Sequence, residues 1–155
     1  MTSQNQTIKE LANLYLAWDA AFKADSKNDR KEFNALKRAA VKVGAPKATV
    51  GSVWLAQDVV RDDAGIVQHD EATGCELYEY QAIVDDDEYE DLCFFGEYDP
   101  SQDERDVKRA TLAKFFFCQG VFEFTDAQGI ASPSEFGPYG YSRGCVEELA
   151  QKVIA

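Results

Sequence analysis

Carboxylates dominate the chemistry available to this sequence. Asp62, Asp63, Asp70 and Glu71 are followed by Asp85, Asp86, Asp87, Glu88, Glu90 and Asp91, and residues 62 to 104 hold sixteen acidic groups without one Lys or Arg. Such density suits either a hard cation or electrostatic recognition of a cationic partner. The run DDDEYEDL lacks the glycine and the ordered alternation of an EF-hand loop, so its spacing predicts solvated charge and no metal site. Leu77, Tyr78, Tyr80, Ile83, Tyr89, Leu92, Phe94 and Phe95 interleave the carboxylates, which predicts a folded acidic surface instead of a disordered tail.

The other reactive residue types offer little. His69 is the single histidine, which excludes HExxH helices, multi-histidine metal sites and paired-imidazole mechanisms. His69 and Cys75 bracket a turn, but no oxyanion donor or orienting group accompanies them, so a surface histidine and a structural cysteine are expected. The four cysteines, Cys75, Cys93, Cys118 and Cys145, form no CxxC pair, and reduced thiols without zinc are expected. Asp85 or Asp86 with Asp106 and Lys108 resembles an acidic-acidic-lysine nuclease set, yet Asp106 and Lys108 fall in a predicted helix. GPYGYSRG contains no GK[ST] and reads as a turn, while Phe115, Phe116, Phe117, Phe122 and Phe124 read as core. No enzyme activity and no cofactor are expected.

The elements that position these groups follow from periodicity. With 155 residues, 45% of them hydrophobic, one domain is expected over residues 1–155, divisible into a basic helical part, 1–61, and an acidic α+β part, 62–155. Thr7 and Glu10 have capping-box spacing, and Ile8, Leu11, Tyr15, Trp18 and Phe22 predict a helix over 8–24. Phe33, Leu36, Ala40 and Val43 predict a second over 29–43, stopped by Gly44 and Pro46. Residues 49–61 fit a strand or a helix, with helix slightly preferred. A β-hairpin is predicted with strands at 66–69 and 75–84, then a strand in DLCFFGEY, a helix from the Ser101/Glu104 capping box to Cys118, a short strand in VFEF, a loop over 125–144 and a last helix over 143–154. The fold class is therefore α+β: an amino-terminal helical hairpin followed by a small antiparallel sheet with two further helices.

The run LKRAAVKVGAPKATVGSVWL resembles the helix-turn-helix of bacterial repressors, with Ala40 at the helix contact, Gly44 in the turn, and Val50 and Val53 burying a second helix. The hairpin after it stands where a winged-helix protein carries its wing, so the resemblance spans residues 36–84. It implies a recognition helix whose exposed start holds Lys47, Thr49 and Ser52, with Lys42 nearby, contacting duplex DNA through residues 36–61.

Charge points elsewhere. The net charge of −12 argues against uniform attraction to phosphate or anionic lipid, and Asp70 and Glu71 sit where a wing tip would need cations. No apolar run approaches the roughly 18 residues of a membrane-spanning helix, and the first residues lack the pattern of a secretory signal, so a cytoplasmic location without membrane contact is expected. The sequence-based expectation is a non-enzymatic acidic binding protein, an inhibitor or regulator that mimics nucleic acid and engages a basic, nucleic-acid-binding partner. The alternative is the helix-turn-helix regulator.

Overall fold

The computed structural model describes residues 2–84, 93–97, 103–128 and 143–155. Four α-helices, α1 (Thr2–Ala24), α2 (Arg30–Lys42), α3 (Glu104–Gln128) and α4 (Arg143–Ile154), pack together beside three strands, β1 (Val53–Val59), β2 (Tyr78–Val84) and β3 (Cys93–Glu97). Helices make up most of the described chain. The strands form one antiparallel sheet in the order β1-β2-β3.

The amino-terminal hairpin follows its apolar period. Ile8, Leu11, Ala12, Tyr15 and Trp18 form the buried stripe of α1, and Phe33, Leu36 and Ala40 that of α2. No glycine or proline interrupts residues 2–7, so α1 starts at Thr2 and Thr7 lies inside it; the expected Thr7/Glu10 cap is not its start. The end of α2 is a Schellman motif: Ala45 N–H donates to the Ala40 carbonyl and Gly44 N–H to that of Val41, with Gly44 at φ 118°. Glycine adopts that backbone without a Cβ penalty.

After this turn the helical preference for residues 49–61 is overturned. Thr49 is extended, Val50–Ser52 form one turn of 3-10 helix, and Val53–Val59 become β1. The second helix required by the helix-turn-helix resemblance is therefore not formed. β-Branched Val50, Val53, Val59 and Val60 favour extension, and the seven-residue register from Val53↔Val84 to Val59↔Tyr78 seats Val53 beside Val84 in the core. The hairpin expected from 66–69 and 75–84 forms only near its turn, where His69 bridges Glu76, Asp70 N–H donates to Cys75 O and Leu77 N–H to Gln68 O; residues 78–84 form β2, whose partner is β1.

The predicted strand in DLCFFGEY corresponds to β3, paired from Glu79↔Glu97 to Ile83↔Cys93. The VFEF strand is overturned, because α3 continues unbroken to Gln128. Gly120 permits this continuation: a Cβ there would lie 2.7 Å from Leu11 Cδ2 and 3.5 Å from Ala40 Cα, so α3 meets α1 and α2 closely at this position. Asp103 starts α3, its carboxylate accepting from Arg105 N–H at 2.7 Å; the expected cap, Ser101, lies outside the described residues. Helix α4 covers the predicted 143–154. Of the predicted 125–144 loop, residues 125–128 belong to α3, 143–144 to α4, and 129–142 lie outside the described residues.

The core lies where the four helices meet one face of the sheet. Tyr15 stacks on Phe117 with ring centroids 4.8 Å apart, Phe33 meets Phe116 edge-on at 6.1 Å, and Val53 and Val84 close the sheet side, both fully buried. Each such side chain contributes roughly 1.5–3 kcal/mol by leaving water. Phe115, Phe116 and Phe117 are thus core residues; Phe122 and Phe124 fall in α3.

Candidate functional site

Beyond Val59 and before Tyr78 the β1–β2 ladder opens into an arm, residues 60–77. Three backbone hydrogen bonds form a closed ring at its base: Val60 N–H donates to Leu77 O (2.9 Å), Leu77 N–H to Gln68 O (3.0 Å) and Gln68 N–H to Val60 O (2.9 Å). The central segment thereby pairs on both sides, through the bridges Arg61↔Val67 and His69↔Glu76. The result is two short hairpins that share one strand.

Each hairpin tip is built by an aspartate. Asp62 Oδ1 accepts from Ala64 N–H and Ile66 N–H, both at 2.9 Å, and Arg61 donates to the Gly65 carbonyl at 3.0 Å. Asp70 Oδ1 accepts from Ala72 N–H at 2.7 Å, while Gly74 N–H returns to the Asp70 carbonyl at 2.8 Å. Gly65 and Gly74 hold φ of 81° and 71°, conformations that a side chain would strain. Asp62 and Asp70 are therefore turn-forming residues. Asp63 and Glu71 follow them at the two tips and are exposed to solvent.

The remaining expected acidic residues, Asp85, Asp86, Asp87, Glu88, Glu90 and Asp91, lie outside the described residues. The chain leaves the sheet towards them at Val84, beside Val53, whereas the arm leaves at the other end of the β1–β2 ladder. Seven paired residues separate these exits, about 20 Å along a strand. A single contiguous array from Asp62 to Asp91 is not what the described part of the sheet brings together; it collects Asp62, Asp63, Asp70 and Glu71 at one end.

Apolar exposure is the feature that periodicity missed. Trp54, Ile66 and Leu77 are the large apolar side chains open to solvent among the described residues, at 61%, 62% and 41%. Ile66 and Leu77 belong to the arm, and Trp54 to β1. A helix over 49–61 would group Trp54 with Val50 and Val53 on one side, whereas strand alternation from buried Val53 turns it outwards.

The other candidates are not brought together. Lys42, Lys47 and Thr49 are exposed, but the Thr49 and Ser52 hydroxyls lie 3.2 Å apart and close the 3-10 turn, so no recognition helix presents them. Cys75 is exposed, and its Sγ lies 3.9 Å from the Thr73 carbonyl, while its backbone faces Asp70 and His69 faces Glu76. Asp106 accepts from Ser26 Oγ at 2.9 Å and Lys108 pairs with Glu104 at 3.1 Å, so both serve the fold around α3. Among the described residues, no three His, Cys, Asp or Glu side chains gather as a metal site, and no helix is long and apolar enough to cross a membrane.

Sequence reading also missed Asp29. Its carboxylate is fully buried and accepts from Trp18 Nε1–H and Arg109 Nη1–H, each at 2.6 Å. The only sequence signal is its place immediately before α2, and its side chain makes no capping bond. Comparison of the chain with protein families, curated proteins and solved structures finds no match.

Proposed function

We propose that this chain is a non-enzymatic acidic binding protein, an inhibitor or regulator that engages a basic, nucleic-acid-binding protein through the arm. The observation that carries the reading is the arm itself. A segment fixed by its own backbone ring and two aspartate-built turns holds Asp63 and Glu71 at its tips, beside exposed Ile66 and Leu77, and Arg61 is its one cation.

Carboxylates on a braced backbone lose little conformational freedom when a partner arrives. They approximate part of a phosphate array, steer a cationic surface towards the arm, and compete with nucleic acid for it. The apolar residues supply the short-range contact that charge alone does not. Solvated acidity that merely keeps a protein soluble needs neither a braced backbone nor exposed apolar side chains along it.

The test is capture of partners from the native host at about 50 mM and 500 mM salt, with the natural chain and an Asp63→Lys/Glu71→Lys variant. Enrichment of basic, nucleic-acid-binding proteins that is lost at high salt and lost in the variant supports the proposal. Equal capture by both chains sinks it. A gel shift of random duplex DNA at low salt, abolished by Lys42→Glu and Lys47→Glu, would replace it with the DNA-binding alternative.

A further inference from the structure

The solvent side of α2 is cationic. The helix carries five basic residues, Arg30, Lys31, Lys37, Arg38 and Lys42, and one acid, Glu32. At about 100° per residue, Lys31, Arg38 and Lys42 fall within about 40° of one another, opposite the buried stripe of Phe33, Leu36 and Ala40. All three are exposed, as are Arg30 and Asn34 beside them. The ion pairs among the described residues use Lys23, Lys108 and Arg109, and none reaches Arg30, Lys31, Arg38 or Lys42.

Helix stability does not call for these cations. Arg30 and Lys31 stand in the first turn, at the positive end of the helix dipole, where carboxylates are favoured. Lys42, in the last turn, suits that dipole but stands four residues from Arg38, and like charges at that spacing oppose the helix. Solubility does not call for them either, since a net charge of −12 already serves it. An anionic segment seated on this face would relieve both repulsions.

The chain itself supplies the complementary surface. Asp63 and Glu71 are exposed at the two tips of the arm, and the strand shared by its hairpins, residues 66–70, holds the roots of the tips about 13 Å apart. Along α2, Lys31 and Arg38 are about 10 Å apart, and Lys31 and Lys42 about 16 Å. The carboxylates thus match the cationic stripe in sign and in span. Among the described residues no ion pair joins tip to helix within one chain, which leaves the match to a second chain. Net repulsion between two acidic chains is screened beyond about 8 Å at physiological salt, so the touching faces decide.

We infer that the exposed face of α2 seats the arm of a second copy of this chain, with Asp63 and Glu71 pairing with Lys31, Arg38 and Lys42. Reciprocal seating closes a two-fold dimer and one-way seating builds a head-to-tail chain; either raises the sedimenting mass. Self-association does not depend on the partner reading. Because it occupies the same tips, it holds the arm away from a basic partner.

The test is sedimentation velocity of the whole chain alone at about 200 µM, in about 150 mM and 500 mM salt. The natural chain is expected above monomer mass at the lower salt and at monomer mass at the higher. Lys31→Glu/Arg38→Glu and Asp63→Lys/Glu71→Lys are each expected to weaken association at least about tenfold without lowering Tm, which a folding defect would lower. Mixed one to one, the two variants are expected to associate again, because the reversed arm meets the reversed helix while each natural surface keeps its natural counterpart. Both variants remain net acidic, so bulk attraction does not explain recovery. A natural chain that stays monomeric at 150 mM salt, whether or not it shifts duplex DNA, overturns the inference. A mixture that stays monomeric, or association that persists at 500 mM salt, overturns it too. Self-association without partner capture supports it and sinks the partner reading alone.

Discussion

Asp29 and Arg109 form an ion pair of 2.6 Å across the junction of three helices, with Asp29 fully buried and Arg109 nearly so. Trp18 of α1 donates to the same carboxylate, which precedes α2, and the guanidinium on α3 also lies 5.8 Å from the Phe33 ring. One turn earlier on α3, Asp106 holds Ser26 of the same connecting loop. The α1–α2 connection is thus fastened to α3 at two points, which sets the helical layer against which the sheet is laid.

Breaking that pair from one side leaves a buried charge uncompensated. Arg109→Met, which preserves the aliphatic stem but strands the Asp29 carboxylate, is expected to cost roughly 3–5 kcal/mol. Asp29→Asn retains an acceptor for Trp18 and leaves its uncompensated charge on the more exposed Arg109, so its loss should be smaller. Urea denaturation of both variants checks the order, and equal or negligible losses would show that the pair does not brace the junction.

At Gly120 two effects oppose each other. Alanine raises helix propensity by roughly 0.5–1 kcal/mol, while overpacking typically costs about 1–3 kcal/mol. The methyl group would meet Leu11 Cδ2 at 2.7 Å, so packing should prevail and Gly120→Ala should lower Tm. Adding Leu11→Ala should make the alanine at 120 neutral or favourable relative to Leu11→Ala alone. A stabilised Gly120→Ala single variant would instead mean that Leu11 moves aside freely.

These two sites show what could be read from the chain in advance. Helices α1, α2 and α4 have one wet face, so a period of three and four residues survives in their sequences. Helix α3 is buried on several sides from Leu112 to Val121, which erases that period and made VFEF look like a strand. Strand β1 was ambiguous because its decisive partner is far away: Val53 pairs with Val84, a contact that no local window contains. The acidic tips were legible as turns through their glycines, but the division of labour between Asp62 and Asp63 depends on which oxygen meets which amide. Asp29 gave no sign of burial because the cation that neutralises it lies eighty residues away.

Alkaline pH offers a separate test of the core. Burial pushes the Tyr15 phenol far above its ordinary value of 10.0, with the Asp19 carboxylate acting in the same direction. The folded chain therefore keeps this proton where the unfolded chain releases it. The associated stability is fully present below pH 10 and declines above it, by up to roughly 1.4 kcal/mol per pH unit. Lys23, held in its charged form by hydrogen bonds to Glu147 and Asp19, adds a slope of the same sign. Tyr15→Phe should reduce the slope above pH 10 without altering the Lys23 component, and thermal melts from pH 9 to 11.5 would reveal an unchanged slope if the phenol were solvated.

The arm predicts a division between neighbouring carboxylates. Asp62 and Asp70 hold backbone amides, so Asp62→Ala and Asp70→Ala should loosen the tips and accelerate hydrogen exchange at Ala64, Ile66 and Ala72, at a cost near 1 kcal/mol for each turn. Asp63 and Glu71 are exposed at the tips, and Asp63→Ala and Glu71→Ala should leave exchange and Tm unchanged. Partner capture should follow charge at the second pair and backbone order at the first. Restoring an acceptor with Asp62→Asn should recover the slow amides and, with them, the capture, since asparagine rebuilds the turn. If Asp62→Asn and Asp62→Ala exchange equally fast, the turn does not depend on that side chain, and the rigidity ascribed to the arm has another source.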